Sequence, residues 1–290
     1  MMSCRATKRC TALSSKLPVN VEMSLAQAAV LGLLQGLAEF LPISSSAHLA
    51  LAPWAFNWPQ PGLSFDVALH IGTLAAVLWY FRSEWIALTA GAFASIKARR
   101  IEGAAGRQVA LLVVGTVPGA TIGYLLQTQA ETVFRTPALT ACTLIVMGLI
   151  LWLVDRNARA ERPLAEMSWR DAVLIGLAQA AAIVPGVSRS GATITAGRAL
   201  GFDRGGAATF SFLMSMPITA AAAALKAPEA LQAPDLAPVL VGMVTAGVSG
   251  WLAIAVLLKY VKRRGLGVFA LYRIALGIAV LGLVWARSQP

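Results

Sequence analysis

Six stretches of this chain, at approximately 65–82, 108–126, 137–154, 206–226, 237–258 and 267–286, are long and apolar enough to cross a bilayer, which takes about 20 such residues in a helix. A hydrocarbon core offers no water to backbone N–H and C=O groups, so segments of this kind must close their hydrogen bonds internally. Of the 290 residues, 58% are hydrophobic and 13% charged, a charged share roughly half that of soluble domains. The expectation is an all-α integral membrane protein with six transmembrane helices. Cys4, Cys10 and Cys142 match neither a metal-ligand spacing nor a disulfide framework, and Cys142, inside an apolar stretch, is expected only to pack.

The net charge of +11 is unevenly placed. Fifteen of the 24 Lys and Arg residues fall in 82–107, 155–170, 198–204 and 259–264, whereas the connections 57–65, 127–136 and 226–236 carry only Arg135 and Lys226. That alternation is the positive-inside pattern of a multi-pass membrane protein. The basic residues lack interleaved aromatics or a soluble domain to present them, which excludes nucleic acid as a partner. Arg198, Arg204, Lys259, Lys262, Arg263 and Arg264 are read as topology determinants and lipid head-group contacts. The Trp residues, Trp54, Trp58, Trp79, Trp85 and Trp169 among them, are read as interfacial belts. Arg273 either snorkels from the start of the last span or is internal.

Two more apolar segments are broken in the middle. Residues 24–41 stop at Pro42 and resume through Ser44–Ser46 into 47–56; residues 171–184 stop at Pro185-Gly186 and resume through Ser188-Arg189-Ser190 into 191–200. A shift of 144 positions lays Ala28, Gly32, Leu33, Gln35, Ala38, Ser44 and Ser46 on Ala172, Gly176, Leu177, Gln179, Ala182, Ser188 and Ser190. Polar, non-helical backbone at membrane depth belongs where it is buried in protein or lines a wet cavity, so both segments are expected to be re-entrant helix-loop-helix hairpins. The basic connections place the first hairpin open to the outside and the second open to the inside, an inverted-topology repeat whose broken helices meet near the pseudo-two-fold axis. The repeats would run over about 23–154 and about 168–290 of one membrane domain, 23–290. Residues 1–22, polar and basic with no core for a signal peptide, are expected to be a disordered extension or the product of an upstream start codon; the latter would remove the objection that Arg5, Lys8, Arg9 and Lys16 otherwise lie outside.

An ionisable residue in a membrane hairpin marks a functional site by default. Glu39 shares a helix face with Gln35, four residues earlier, and its carboxylate would hold a divalent cation or position a water; the plainer reading is an acid at a helix end that snorkels to the interface. Gln35 would orient a partner or ligate through its carbonyl. His48, past the turn, would serve as nucleophile toward phosphorus or as acid and base; His70, near Asp66 in the next span, is its rival. In the second copy, Gly186 and Gly191 permit close backbone approach for an amide nest. Ser188, Ser190 and Thr193 supply hydroxyls, and Arg189 supplies a planar fork matched to phosphate oxygens. The alternative for Arg189 is a purely structural pair with Glu39.

Gln35-xxx-Glu39 with Phe-Leu-Pro-Ile-Ser-Ser-Ser-Ala-His48, and Pro185-Gly-Val-Ser-Arg-Ser-Gly-Ala-Thr193, together resemble the bacterial undecaprenyl-diphosphate phosphatase family linked to bacitracin resistance. The resemblance runs from about Met23 to the end and takes in Phe65 to Ala76 and Phe210 to Pro217. The family allows Glu or Gln at the first motif position, and Gln35 concentrates the acid role on Glu39; Ser46-Ala47 stands where the family often has Thr-Gly. The resemblance implies six spans plus two re-entrant hairpins and a site facing the periplasm from a bacterial inner membrane. It implies hydrolysis of undecaprenyl diphosphate to undecaprenyl phosphate and inorganic phosphate with a divalent cation such as Mg2+ or Ca2+, recycling the carrier for cell-wall synthesis. The residues then expected to carry the chemistry are Glu39, His48, Arg189 and Ser45, with phosphate held by Ser44, Ser46, Gly186, Ser188, Ser190, Gly191 and Thr193 and the cation by Glu39 and Gln35. The oligomeric state stays open, a homodimer being the one assembly entertained. Broken helices in inverted repeats are also transporter architecture, so a lipid flippase is the competing reading; a membrane scaffold has no use for two polar loops at the midplane.

Overall fold

The computed structural model describes residues 23–126, 136–158, 161–230 and 235–289; the expectation for 1–22 lies outside the described residues. Among the described residues the chain forms eleven α-helices and one isolated bridge, Arg162 to Phe202. They are α1 Leu25–Phe40, α2 Ser45–Phe56, α3 Leu63–Tyr80, α4 Arg82–Ala98, α5 Gly103–Leu125, α6 Pro137–Asn157, α7 Trp169–Ala180, α8 Arg189–Ala199, α9 Arg204–Ala230, α10 Ala237–Val261 and α11 Gly267–Ser288. Five of them, α5, α6, α9, α10 and α11, have the length and hydropathy to cross a membrane. The stretch expected as a further span is α3, an 18-residue helix about 27 Å long at 1.5 Å per residue.

The lipid-facing side is visible in burial. On α10 the residues Leu240, Val244, Val248, Leu252 and Val256 are exposed, one turn apart, while Gly242, Ala246, Gly250, Ala253 and Leu257 face inward. A helix apolar on both its inner and outer faces belongs in a membrane, and the small residues on its inner side let backbones approach. α1 packs on α10, and α7, its partner in sequence, packs on α5. The aligned glycines make both contacts possible: a Cβ on Gly32 would collide with the Gly242 carbonyl, and one on Gly176 with the Gly115 carbonyl. α6 and α11 pair with each other.

The 144-residue register continues into the local structure. Ser24 and Ser168 cap α1 and α7, each in a capping box closed by Gln27 or Asp171. α1 ends at Leu41, which is extended (φ −65°, ψ 139°) ahead of Pro42. α7 runs through one 3-10 turn, Ala181–Ile183, to Val184 (φ −81°, ψ 120°) ahead of Pro185. The residue before proline is driven out of the α region by the pyrrolidine ring, so both breaks have one steric cause. Helix resumes at Ser44 (φ 77°) and Ser188 (φ 70°), whose hydroxyls accept from the Ala47 and Gly191 amides.

Three expectations are corrected. The basic segment 82–107 is not a simple connection: residues 82–98 form α4, whose Leu88 and Gly91 are buried in its packing on α5, while its charges gather at the helix ends. Arg198 and Arg204 are not free for lipid head groups. Both donate to Asp155, at 3.1 and 2.7 Å, and Arg198 is fully enclosed and also bonds the Phe202 and Ala158 carbonyls. A guanidinium withdrawn from water needs such saturation of its donors. Cys142 faces outward, exposed, and does not pack inside the bundle.

Candidate functional site

The tips of the two broken helices meet, and their ionised groups meet with them. Glu39, on the last turn of α1, pairs through Oε1 directly with Nη2 of Arg189, the first residue of α8. Its Oε2 accepts from Ser45 Oγ at 2.6 Å and from Gln35 Nε2 at 3.1 Å, and lies 3.6 Å from His70 Nε2. Ser45 and Arg189 are equivalent positions of the two copies, so one carboxylate receives a donor from each restarted helix. Arg189 is held on its other side by the Ser215 carbonyl at 3.0 Å and Thr219 Oγ1 at 2.9 Å, both on α9. Its plane is therefore set before any ligand arrives.

These groups line a cavity of about 310 Å³ with Ser46, Gln179, Ser188 and Thr219 as further polar walls and Val67, Ile183, Ile218 and small residues of α5 and α9 as apolar ones. A second cavity, about 490 Å³, shares Ser46, Val67, His70 and Ile183 with the first and extends to Gln60, Pro61 and Pro137. Gln60 and Pro61 belong to the connection 57–65, which has no Lys or Arg, and Pro137 opens α6 directly after another poor in them.

Of the residues expected from sequence, the cavity thus brings together Glu39, Ser45, Ser46, Ser188 and Arg189. Gln35 stands directly behind Glu39, buried, with its Oε1 lacking a hydrogen-bond partner. His48 is elsewhere: its Nδ1 pairs with the Ser44 carbonyl, its Nε2 with Tyr272 Oη, both at 2.7 Å, and the two rings stack. The rival His70 occupies the place by the carboxylate. Ser44 and Ser190 are bound into the turns, to Ser46 and to Ser188 and the Leu41 carbonyl. Thr193 lies deeper, sharing a hydrogen bond with Ser211 at 2.6 Å.

The expected amide nest is also rearranged. The Gly186 and Val187 carbonyls accept from Arg273 Nη2 at 2.7 and 2.9 Å, and Gly191 sits over the Arg273 guanidinium. Gly186 has φ 92°, and a Cβ there would collide with Thr143, so the turn requires glycine. Arg273 is fully buried and donates as well to the Pro42 and Leu144 carbonyls. It is therefore internal, and it ties the breaks of both copies together. Tyr272 and Thr219 had no signal in the sequence beyond being polar in apolar stretches, and Ser215 had only its place within Phe210 to Pro217. Gln179 had one, its alignment with Gln35.

Among the described residues no group of three or more His, Cys, Asp or Glu is placed to hold a metal ion. The oxygens of Glu39 and the unpartnered Gln35 Oε1 do fit a hard divalent cation, provided a ligand brings further oxygens, as Mg2+ bound to phosphates usually requires.

Comparison with known proteins identifies the family of the chain. The family model described as bacitracin resistance protein BacA matches residues 28–279. An undecaprenyl-diphosphatase of Gemmatimonas aurantiaca is 52% identical over 267 residues, covering 92% of this chain and 100% of that protein. Undecaprenyl-diphosphatases of Pelotomaculum thermopropionicum and Moorella thermoacetica are each 49% identical over 266 residues, covering 92% and 91% of this chain and 99% and 100% of theirs. The match spans the breaks of both helices and runs into α11 past the buried Arg273, and the chain belongs to the BacA family of bacitracin resistance proteins.

Proposed function

We propose that this protein hydrolyses undecaprenyl diphosphate to undecaprenyl phosphate and inorganic phosphate, recycling the lipid carrier of cell-wall synthesis and thereby conferring bacitracin resistance. The observation that carries the reading is the joining of Glu39, Ser45, His70 and Arg189 in one cavity by the two broken helices. A binding site alone needs charge and shape. A carboxylate in hydrogen-bond contact with a hydroxyl, opposite a fixed guanidinium, is equipped for phosphoryl transfer.

In this mechanism the terminal phosphate takes the place of Glu39 as partner of Arg189, which releases the carboxylate to act as a base. Ser45 Oγ attacks the terminal phosphorus as its proton passes to Glu39. The bond to the bridging oxygen breaks, and undecaprenyl phosphate leaves with the electron pair. Glu39 passes that proton to the departing undecaprenyl phosphate, then takes one from the water that attacks the phosphoserine and hands it to Ser45 Oγ as inorganic phosphate is released. Arg189, Ser46 and Ser188 stabilise charge on the transferring oxygens, and His70 holds the carboxylate in place. A divalent cation, Mg2+ or Ca2+, held by Glu39 and Gln35 would neutralise phosphate charge when bound. His48 supports the turn through Ser44 and Tyr272.

The reading extends to the membrane. α3 joins the five long helices as a sixth span, and α1–α2 and α7–α8 are the re-entrant hairpins of an inverted repeat, a reading supported by the reciprocal packing of α1 on α10 and α7 on α5. The second cavity runs toward the connections poor in basic residues, which supports a site reached from the periplasmic side of the inner membrane. The test is phosphate release from undecaprenyl diphosphate by the purified protein, with and without a chelator. Release abolished by Glu39→Ala and restored with the wild type supports hydrolysis, whereas binding without release would favour transport.

A further inference from the structure

Gln179 is the second copy's counterpart of Gln35, but it has lost the group that Gln35 serves. Gln35 Nε2 donates to Glu39, one turn later; the residue one turn after Gln179 is Ile183. Gln179 is only 4% exposed, and neither its Nε2 nor its Oε1 has a hydrogen-bond partner. The side chain lines the same cavity as Glu39, Ser45 and Arg189. A buried carboxamide with both ends unpaired is costly, and a ligand that pairs it recovers that cost. Its position is set by α5: a Cβ on Gly119 would stand 2.7 Å from Gln179 Nε2 and 3.2 Å from its Cγ, so the carboxamide rests where only glycine leaves it room.

We propose that Gln179 is a substrate-contacting residue, whose Nε2 donates to a non-bridging oxygen of the bound diphosphate while Oε1 accepts from water in the cavity. This rests on the function proposed above. A neutral donor suits the place, because the Glu39–Arg189 pair already sets the charge balance and an amide adds recognition of phosphate without altering it. Divergence of the repeat produced it: replacement of the acid by Ile183 freed in the second copy a group that the first copy uses to hold its own carboxylate.

The test compares wild type with Gln179→Met, which keeps the volume and removes both polar atoms, and Gln179→Glu, which sets negative charge against the anion. The expected result is a KM for undecaprenyl diphosphate raised about tenfold or more by Q179M, as for loss of one hydrogen bond to a charged group, and raised further by Q179E. The thermal midpoint of ligand-free Q179M should equal or exceed that of wild type, since an unpaired amide is removed. Unchanged KM in both variants overturns the proposal, and so does a lowered midpoint with kcat falling at constant KM, which is the mark of packing. If wild type itself releases no phosphate, hydrolysis fails as the function, and Gln179 is judged by thermal shift with inorganic pyrophosphate. Stabilisation of wild type but not of Q179M then supports the contact, and equal shifts overturn it.

Discussion

Aligned on Ser44 and Ser188, the two broken helices share a capping box at the start, a proline-driven break and a serine of positive φ at the restart, yet they present opposite chemistry at the tip. The first places a carboxylate before the break and a hydroxyl after it. The second places Ile183 before the break and a guanidinium after it. Backbone steric constraints made the copies alike, while a few side-chain changes made them complementary. A symmetric pair would have set two carboxylates, or two arginines, against each other in a poorly solvated space, where like charges repel strongly. The divergent pair neutralises itself.

That comparison is open to several direct challenges. Glu39→Gln keeps the shape and removes the base, and phosphate release is expected to fall about 1,000-fold, within the range of a lost acid–base group; a fall of only a few-fold would move the base elsewhere. Arg189→Lys keeps the charge but loses the fork that bonds Ser215, Thr219 and Glu39 together. Turnover should drop about 100-fold, comparable to removal of one preorganised donor, as measured by single-turnover phosphate release. Arg273→Met removes the clamp on both breaks and strands carbonyls of Pro42, Gly186 and Val187. A loss of about 3 kcal/mol is expected from breaking such a buried network, read as a lowered thermal midpoint in detergent; an unchanged midpoint would mean the two tips hold each other without it. The smallest effect is expected at His48 and Tyr272. His48→Ala and Tyr272→Phe should each cost about 1 kcal/mol of stability, as for one hydrogen bond, read as a lowered midpoint, and the double variant should lose less than the sum. Full additivity in that cycle would separate His48 from Tyr272 and return it to the list of reacting groups.

Much of this was legible in the chain itself. Apolar length located α3 and the five long helices within a few residues, because a bilayer imposes a length on any helix that crosses it. The two X-Pro steps marked the breaks, since the proline restriction acts on one neighbour and needs no tertiary context. Glu39, Ser45 and Arg189 stood out as polar groups where a membrane penalises them. Less legible was α4, whose mixed composition resembles a basic connection until its Leu88 and Gly91 meet α5. The choice between His48 and His70 was not legible at all. Both are single imidazoles in apolar surroundings, and only the rotation of α2 and α3 turns one toward Tyr272 and the other toward Glu39.

By itself, then, the sequence determined what is local or solvent-imposed: helices across a membrane, two breaks, a repeat of known register, and the residue types available for phosphate chemistry. The tertiary structure alone decided which of those residues share a cavity. It set Arg189 on Glu39 across 150 residues of chain, drew Arg273 inside to bond both breaks, and left Gln179 facing the site without a partner. Periodicity and sterics act over one or two turns of helix, whereas a contact between distant segments depends on how whole helices pack and rotate against each other.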